Sequence, residues 1–162
     1  DYERREVSLL KGDQQGAAYK ALNPQGFVPM LEADGLRLTQ SLAIIEWLDT
    51  RFPEPRLVPN DPAAAAAVRA IALTVACDIH PLNNLRVLRY LKTEFGQDQP
   101  AVDRWYRHWV SEGLAALEAM AAPALGDLSD EEVAALPPNL ADICLVPQLY
   151  NARRFETDLT PF

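Results

Sequence analysis

The apolar positions of this chain change period once, at the proline-rich stretch between residues 53 and 62. Before it they fall in short, partly alternating runs. After it they recur every three to four residues. Residues 1–10, DYERREVSLL, alternate in part (Tyr2, Val7, Leu9) and predict a strand. Residues 13–22 predict a short helix or loop with Tyr19 and Leu22 facing inward. The runs PMLEA and LRLT flank Asp34-Gly35, a strong hairpin dipeptide, and predict a hairpin over residues 28–39. Ser41 is a good N-cap, and Leu42, Ile45, Trp47 and Leu48 supply the apolar face of a helix over 41–51 that stops at Phe52-Pro53. The segment PEPRLVPNDP then places four prolines in ten residues, which blocks regular structure and marks a linker.

Beyond Pro62 the pattern predicts helices only. Residues 63–79 are alanine-rich, with Val68, Ile71, Val75 and Ile79 on one face, and Pro81 forces a kink or restart near His80. Residues 82–95 continue with Leu85, Leu88 and Leu91. A long helix over 100–121 has Pro100 in its first turn. Ser129 with Glu132 forms a capping box ahead of a short helix. Asn139 with Asp142 gives a further N-terminal signal before the apolar run ICLVPQLY, whose helix is expected to be central and buried. The stretch 122–136 is expected to be a disordered loop. No internal repeat is present. The resulting class is α+β followed by all-α: residues 1–53, a linker over 54–62, and an all-helical domain over 63–162.

Composition narrows the function. The formal net charge of −8 argues against nucleic acid as the main partner, since no basic field draws phosphates. No apolar run is expected to reach the ~18–20 residues that span a bilayer, so no membrane partner is expected. Cys77 and Cys144 lie in apolar helical contexts and read as reduced core thiols, which points to the cytoplasm. Cys77, Asp78 and His80 are close in sequence, but nothing else completes a ligand set, so no metal is expected. The candidate chemistry is anion binding. Gln40-Ser41 opens a helix with free N–H groups beside a hydroxyl, a place to hold a carboxylate. Arg153 and Arg154 end the last helix, and arginine suits bidentate carboxylate recognition, although two cations also complement a helix C-terminus.

The stretches ALNPQGFVPML, QSLAIIEWLD, PEPRLVPNDP, CDIHPLNNLRVLRYL and NLADICLVPQLYNARRFETDLTPF together resemble the glutathione transferases, and more narrowly their zeta class. The resemblance spans nearly all of the chain. It implies a thioredoxin-like N-terminal domain, incomplete in this chain, followed by a helical-bundle domain. It further implies a cis Val28-Pro29 bond, with Val28 offering backbone groups to the cysteinyl part of glutathione. Gln40 and Ser41 would hold the γ-glutamyl carboxylate. One of Gln14 and Gln15, with Gln14 preferred, would reach the glycine end. His80, Asn84 and Arg86 would face glutathione and substrate from the helical domain, and Arg154 would line the pocket of a dicarboxylate substrate. Asn139 and Asp142 read as a buried capping box with a folding role.

The activity implied is a glutathione-dependent cis–trans isomerisation of maleylacetoacetate or maleylpyruvate in aromatic-ring breakdown, by a homodimer. A general transferase that conjugates electrophiles, or a non-catalytic binding module, stands as the alternative. The groups that act on the glutathione sulfur are expected in a first strand and helix preceding Asp1, and a last helix is expected after Phe162. The catalytic residues proper are therefore unassigned.

Overall fold

Asp34 and Gly35 both take positive φ, 50° and 75°, which closes a tight type I′ turn between β1 (Met30–Ala33) and β2 (Leu36–Thr39). The strands pair antiparallel, with Met30 opposite Thr39 and Ala33 opposite Leu36. In this computed structural model, which describes residues 1–162, the chain divides into two compact units, Asp1–Arg56 and Leu57–Phe162.

In the first unit a 3₁₀ turn (Asp13–Gln15) and the one-turn helix α1 (Ala17–Lys20) precede the hairpin, and α2 (Ser41–Arg51) follows it. Helix α2 has the predicted bounds and presses Ile44 and Asp49 inward. Asp49 is buried and pairs with Arg56 at 3.4 Å. Residues 1–8 form no strand, contrary to expectation, and Tyr2 is 87% exposed. A strand needs a ladder partner, and β1 and β2 pair only with each other.

The second unit is helical throughout. It comprises α3 (Pro62–Leu73) running into a π-helical turn (Thr74–Ile79), then α4 (Leu85–Thr93), α5 (Gln99–Leu125), the short α6 (Asp130–Ala134) and α7 (Leu140–Arg154). Asp61 and Asp98 accept from the amides of Ala64 and Ala101, both at 2.8 Å, so α3 and α5 start on side-chain caps worth ~1 kcal/mol each. Both capping boxes form as predicted, at Ser129/Glu132 and Asn139/Asp142. One core joins Val75, Ile79, Leu88, Val102, Tyr106, Val110, Leu114, Leu117 and Ala152.

Several expectations for this unit change. The stretch 122–136 is not a loop: α5 continues to Leu125 and α6 follows. Helix α7 buries one face, Leu140, Ala141, Gln148 and Ala152, while Val146 and Tyr150 are more than 60% exposed. Its apolar composition reflects two faces, of which the core uses one. The continuous helix Pro62–Ile79 reaches 18 residues and is apolar enough by length and composition to cross a bilayer. Eight of its residues are alanines, and Ala65, Ala72, Val75 and Ile79 are buried within the unit. Cys77 is exposed rather than buried. It stands two residues from each of Val75 and Ile79, about half a turn round the helix from the two residues that face the core. Cys144 is half-buried against the core, and burial raises its thiol pKa.

Candidate functional site

The N-terminus of α2 is built differently from those of α3 and α5. Its N-cap is Gln40, not Ser41, and no side chain caps it. Ser41 is the first helical residue, with its hydroxyl-bearing side chain at the exposed end. Gln40 holds φ 71° and ψ 119°, a conformation that L-residues rarely adopt and that costs on the order of 1–3 kcal/mol. Its carbonyl still accepts the first helical bond, from Ile44 at 3.0 Å. Its carboxamide donates to Gln25 Oε1 at 2.7 Å. The first-turn amides of an eleven-residue helix are thus left without a side-chain acceptor, as an anion site requires.

The loop before the hairpin is tied into the same neighbourhood. Gln15 Nε2 donates to Gly26 O at 3.1 Å. Gly26 is buried at φ 65°, and a Cβ there would stand 2.8 Å from Gln15 Nε2 and 2.9 Å from Gln14 O, so only glycine fits. Phe27 O accepts from Tyr19 OH at 2.6 Å and from Nδ2 of the buried Asn23 at 2.8 Å. These bonds set the backbone immediately before Val28 and Pro29, whose shared peptide is cis, as is that of Glu54-Pro55. Gln14 is half-buried, and its Oε1 is buried without a partner, an acceptor available to an N–H donor. Gln14, Val28, Pro29, Gln40 and Ser41 therefore belong to one stretch of the first unit.

In the second unit the helix breaks where Pro81 predicts. His80 N donates to Val75 O at 2.8 Å, an i to i−5 bond that ends the π turn. Asn83 and Asn84 close the turn through bonds to His80 O and Pro81 O. His80 keeps an exposed edge, yet the protein packed around its ring lowers its pKa by desolvation. Asn84 is committed to capping α4, its Oδ1 accepting from Arg86 N at 3.1 Å. Arg86 sits in the first turn of α4 and is exposed. The neighbouring Asn83 is the buried one: its Nδ2 donates to Tyr106 O at 3.4 Å, while its Oδ1 has no partner.

Arg153 and Arg154 both lie exposed in the last turn of α7. Burial raises the pKa of the Tyr106 phenol, while the nearby Gln148 side chain and the Arg154 charge pull it back. Arg154 is thus electrostatically coupled to the face of α5 that carries Tyr106. Sequence patterning singles out neither Asn83 nor Trp105, Tyr106 and Arg107, because their contacts join segments distant in the chain. No group of three or more His, Cys, Asp or Glu side chains could hold a metal ion.

Residues 1–51 match the family model described as the glutathione S-transferase N-terminal domain. A maleylpyruvate isomerase of Ralstonia sp is 47% identical over 99% of this chain and 75% of its own length. A holo structure of a maleylpyruvate isomerase, described as a bacterial zeta-class glutathione S-transferase, matches with TM-score 0.88 and 45% identity, covering 96% of this chain and 73% of that one. A maleylacetoacetate isomerase of Anaeromyxobacter dehalogenans 2CP-1, with dicarboxyethyl glutathione and citrate in its active site, matches with TM-score 0.81 and 43% identity over 100% of this chain and 73% of that one. With identity at this level over nearly the whole chain, and a fold that agrees with it, the chain belongs to the zeta class of the glutathione S-transferases.

Proposed function

We propose that this protein is a glutathione-dependent cis–trans isomerase of maleylacetoacetate or maleylpyruvate. The observation that carries the reading is the 47% identity, over 99% of the chain, to a maleylpyruvate isomerase. The uncapped and strained N-terminus of α2 fits it, because it offers unshared amide donors to a carboxylate.

Glutathione, when bound, supplies a thiolate that adds to the cis enone, converts its double bond to a rotatable single bond, and is expelled again to give the trans product. The residues of this chain bind and orient. The α2 amides and the Ser41 hydroxyl hold the γ-glutamyl carboxylate, where the partial positive charge of the helix end adds ~0.3–1 kcal/mol. Gln40 sets the chain direction at that end. The Val28 backbone pairs with the cysteinyl peptide, and Gln14 Oε1 accepts from an N–H toward the glycine end. His80, Asn84 and Arg86 contribute from the helical unit. In Asn84, Oδ1 is already engaged in the α4 cap, which leaves the amide N–H groups for a ligand. Arg154 takes a substrate carboxylate through its guanidinium fork. The working protein is a cytoplasmic homodimer in this reading.

The direct test follows the loss of cis-maleylpyruvate or cis-maleylacetoacetate with and without glutathione. Isomerisation that does not depend on glutathione rejects the function. Arg154→Ala is expected to raise the KM for the dicarboxylate about tenfold, the loss of one bidentate contact, while the KM for glutathione stays within about twofold. Gel filtration with light scattering reads the dimer.

A further inference from the structure

Three consecutive residues of α5 reach both segments of the helical unit to which the proposed function gives a role. Trp105 Nε1 donates to Leu82 O at 2.9 Å, inside the helix break that carries His80 and Asn84. The carbonyl of Tyr106 accepts from the buried Asn83 of the same break. The Tyr106 ring lies flat on Phe155, with centroids 3.7 Å apart and planes 6° apart. Arg107 Nη1 donates to Phe155 O at 3.3 Å. Phe155 is the C-cap of α7 and directly follows Arg154. The partners of Trp105 and Arg107 lie 23 and 48 residues away in sequence, yet both bonds start within one turn of α5.

The carbonyls held this way are the ones that lack helical partners. Leu82 O lies in the break between the π turn and α4, and Phe155 O lies past the end of α7. Both bonds are partly shielded from water, so losing either donor leaves a carbonyl short of a partner, and each bond favours one backbone arrangement over its neighbours. A further anchor lies two turns along α5. A Cβ on Gly113 would stand 2.2 Å from Ile79 Cγ1, so the glycine leaves the notch in which fully buried Ile79 seats, one residue before His80.

We propose that Trp105, Tyr106 and Arg107 are positioning residues of the isomerase, which set where the His80–Asn84 segment and Arg154 stand relative to one another. The inference rests on the roles proposed above for His80, Asn84 and Arg154. None of the three α5 residues touches substrate in this account. They act by fixing the backbone that carries the residues that do. Misplacing a binding group by about 1 Å costs up to ~100-fold in rate, so the loss of one tether is expected to cost about tenfold.

The experiment uses the full chain and varies glutathione and the cis-dicarboxylate separately. Arg107→Ala is expected to raise the KM for the dicarboxylate about tenfold and leave the KM for glutathione within about twofold, and Arg107→Lys, which keeps one donor, recovers part of the loss. Trp105→Phe keeps an aromatic ring against Trp109, lacks the N–H, and is expected to lower kcat/KM for both substrates. In an Arg154→Ala background the effect of Arg107→Ala should vanish, because the two act through one contact. The proposal is overturned if Arg107→Ala lowers thermal stability but leaves both KM values unchanged, or if its loss is equally large without Arg154. Should Arg107→Ala not fold, Arg107→Lys decides by the same two readings. An Arg154→Ala enzyme with an unchanged dicarboxylate KM rejects the role of Arg154 itself, and with it the Arg107 part of the proposal.

Discussion

The two units are held together by different forces. In Asp1–Arg56 the one buried apolar side chain is Ile44, and its companions in burial are Asn23 and Asp49. The segment that leads to Val28 is fixed by hydrogen bonds from Gln15, Tyr19 and Asn23 and by a glycine that nothing larger can replace. In Leu57–Phe162 a continuous apolar core spans the π turn, α4, α5 and α7. The first unit is therefore ordered mainly by hydrogen bonds to its backbone, and the second by an apolar core against which a helix break and a helix end are braced.

That contrast can be broken first at the dense end. Leu114→Ala removes a side chain that is only 3% exposed and is expected to destabilise the helical unit by ~2–5 kcal/mol, read as a lower denaturant midpoint. A loss below ~1 kcal/mol would mean that the core of α5 is not tightly packed. In the sparse unit the corresponding change is polar. Asn23→Ala removes the donor to Phe27 O and the acceptor for Gln25 N, and is expected to cost ~1–3 kcal/mol, together with weaker glutathione binding by calorimetry. Unchanged binding would separate Asn23 from the presentation of Val28.

Gln40→Gly tests the strained residue. Glycine takes φ 71° without steric penalty, so the variant is expected to gain about 1 kcal/mol in stability while glutathione binds less tightly. A stability loss would remove the argument that Gln40 is strained. The smallest effect concerns acid. Desolvation holds the His80 pKa below its unfolded value of about 6.5, so between the two the unfolded chain binds more protons. Stability is thus full above about 6.5 and declines as pH falls toward the folded pKa. Melting curves from about pH 7.5 to about pH 5 should show a decline that is shallower in His80→Gln. Identical slopes would assign the acid sensitivity to other groups.

The parts of the molecule that could be read from the sequence are those decided by near neighbours. Asp34-Gly35 specifies its turn because both residues tolerate positive φ. Helix α2 ends where Phe52-Pro53 stops it, and the break at His80 follows from Pro81. The two capping boxes need only residues three apart. The exposure of Cys77 was misread as burial, although the face that carries Val75 and Ile79 turns it outward. The motif resemblance pointed to the carboxylate site at Gln40-Ser41, but the cap position itself shifted by one residue, because the strained φ of Gln40 is imposed by its surroundings rather than by its side-chain chemistry.

By itself, then, the sequence determined the kind of most elements from the hairpin onward, the punctuation between them, and the family. Tertiary structure alone decided three things. Residues 1–8 carry no strand, because a strand exists only with a partner to complete its ladder. The outer face of α7 stays exposed, because burial depends on which side a neighbour covers. And Trp105, Tyr106 and Arg107 brace the His80 break and the end of α7, because those bonds form between carbonyls and donors that only folding brings within reach. Local sequence sets φ and ψ preferences over a few residues, whereas pairing, burial and long-range hydrogen bonds are properties of the whole packed unit.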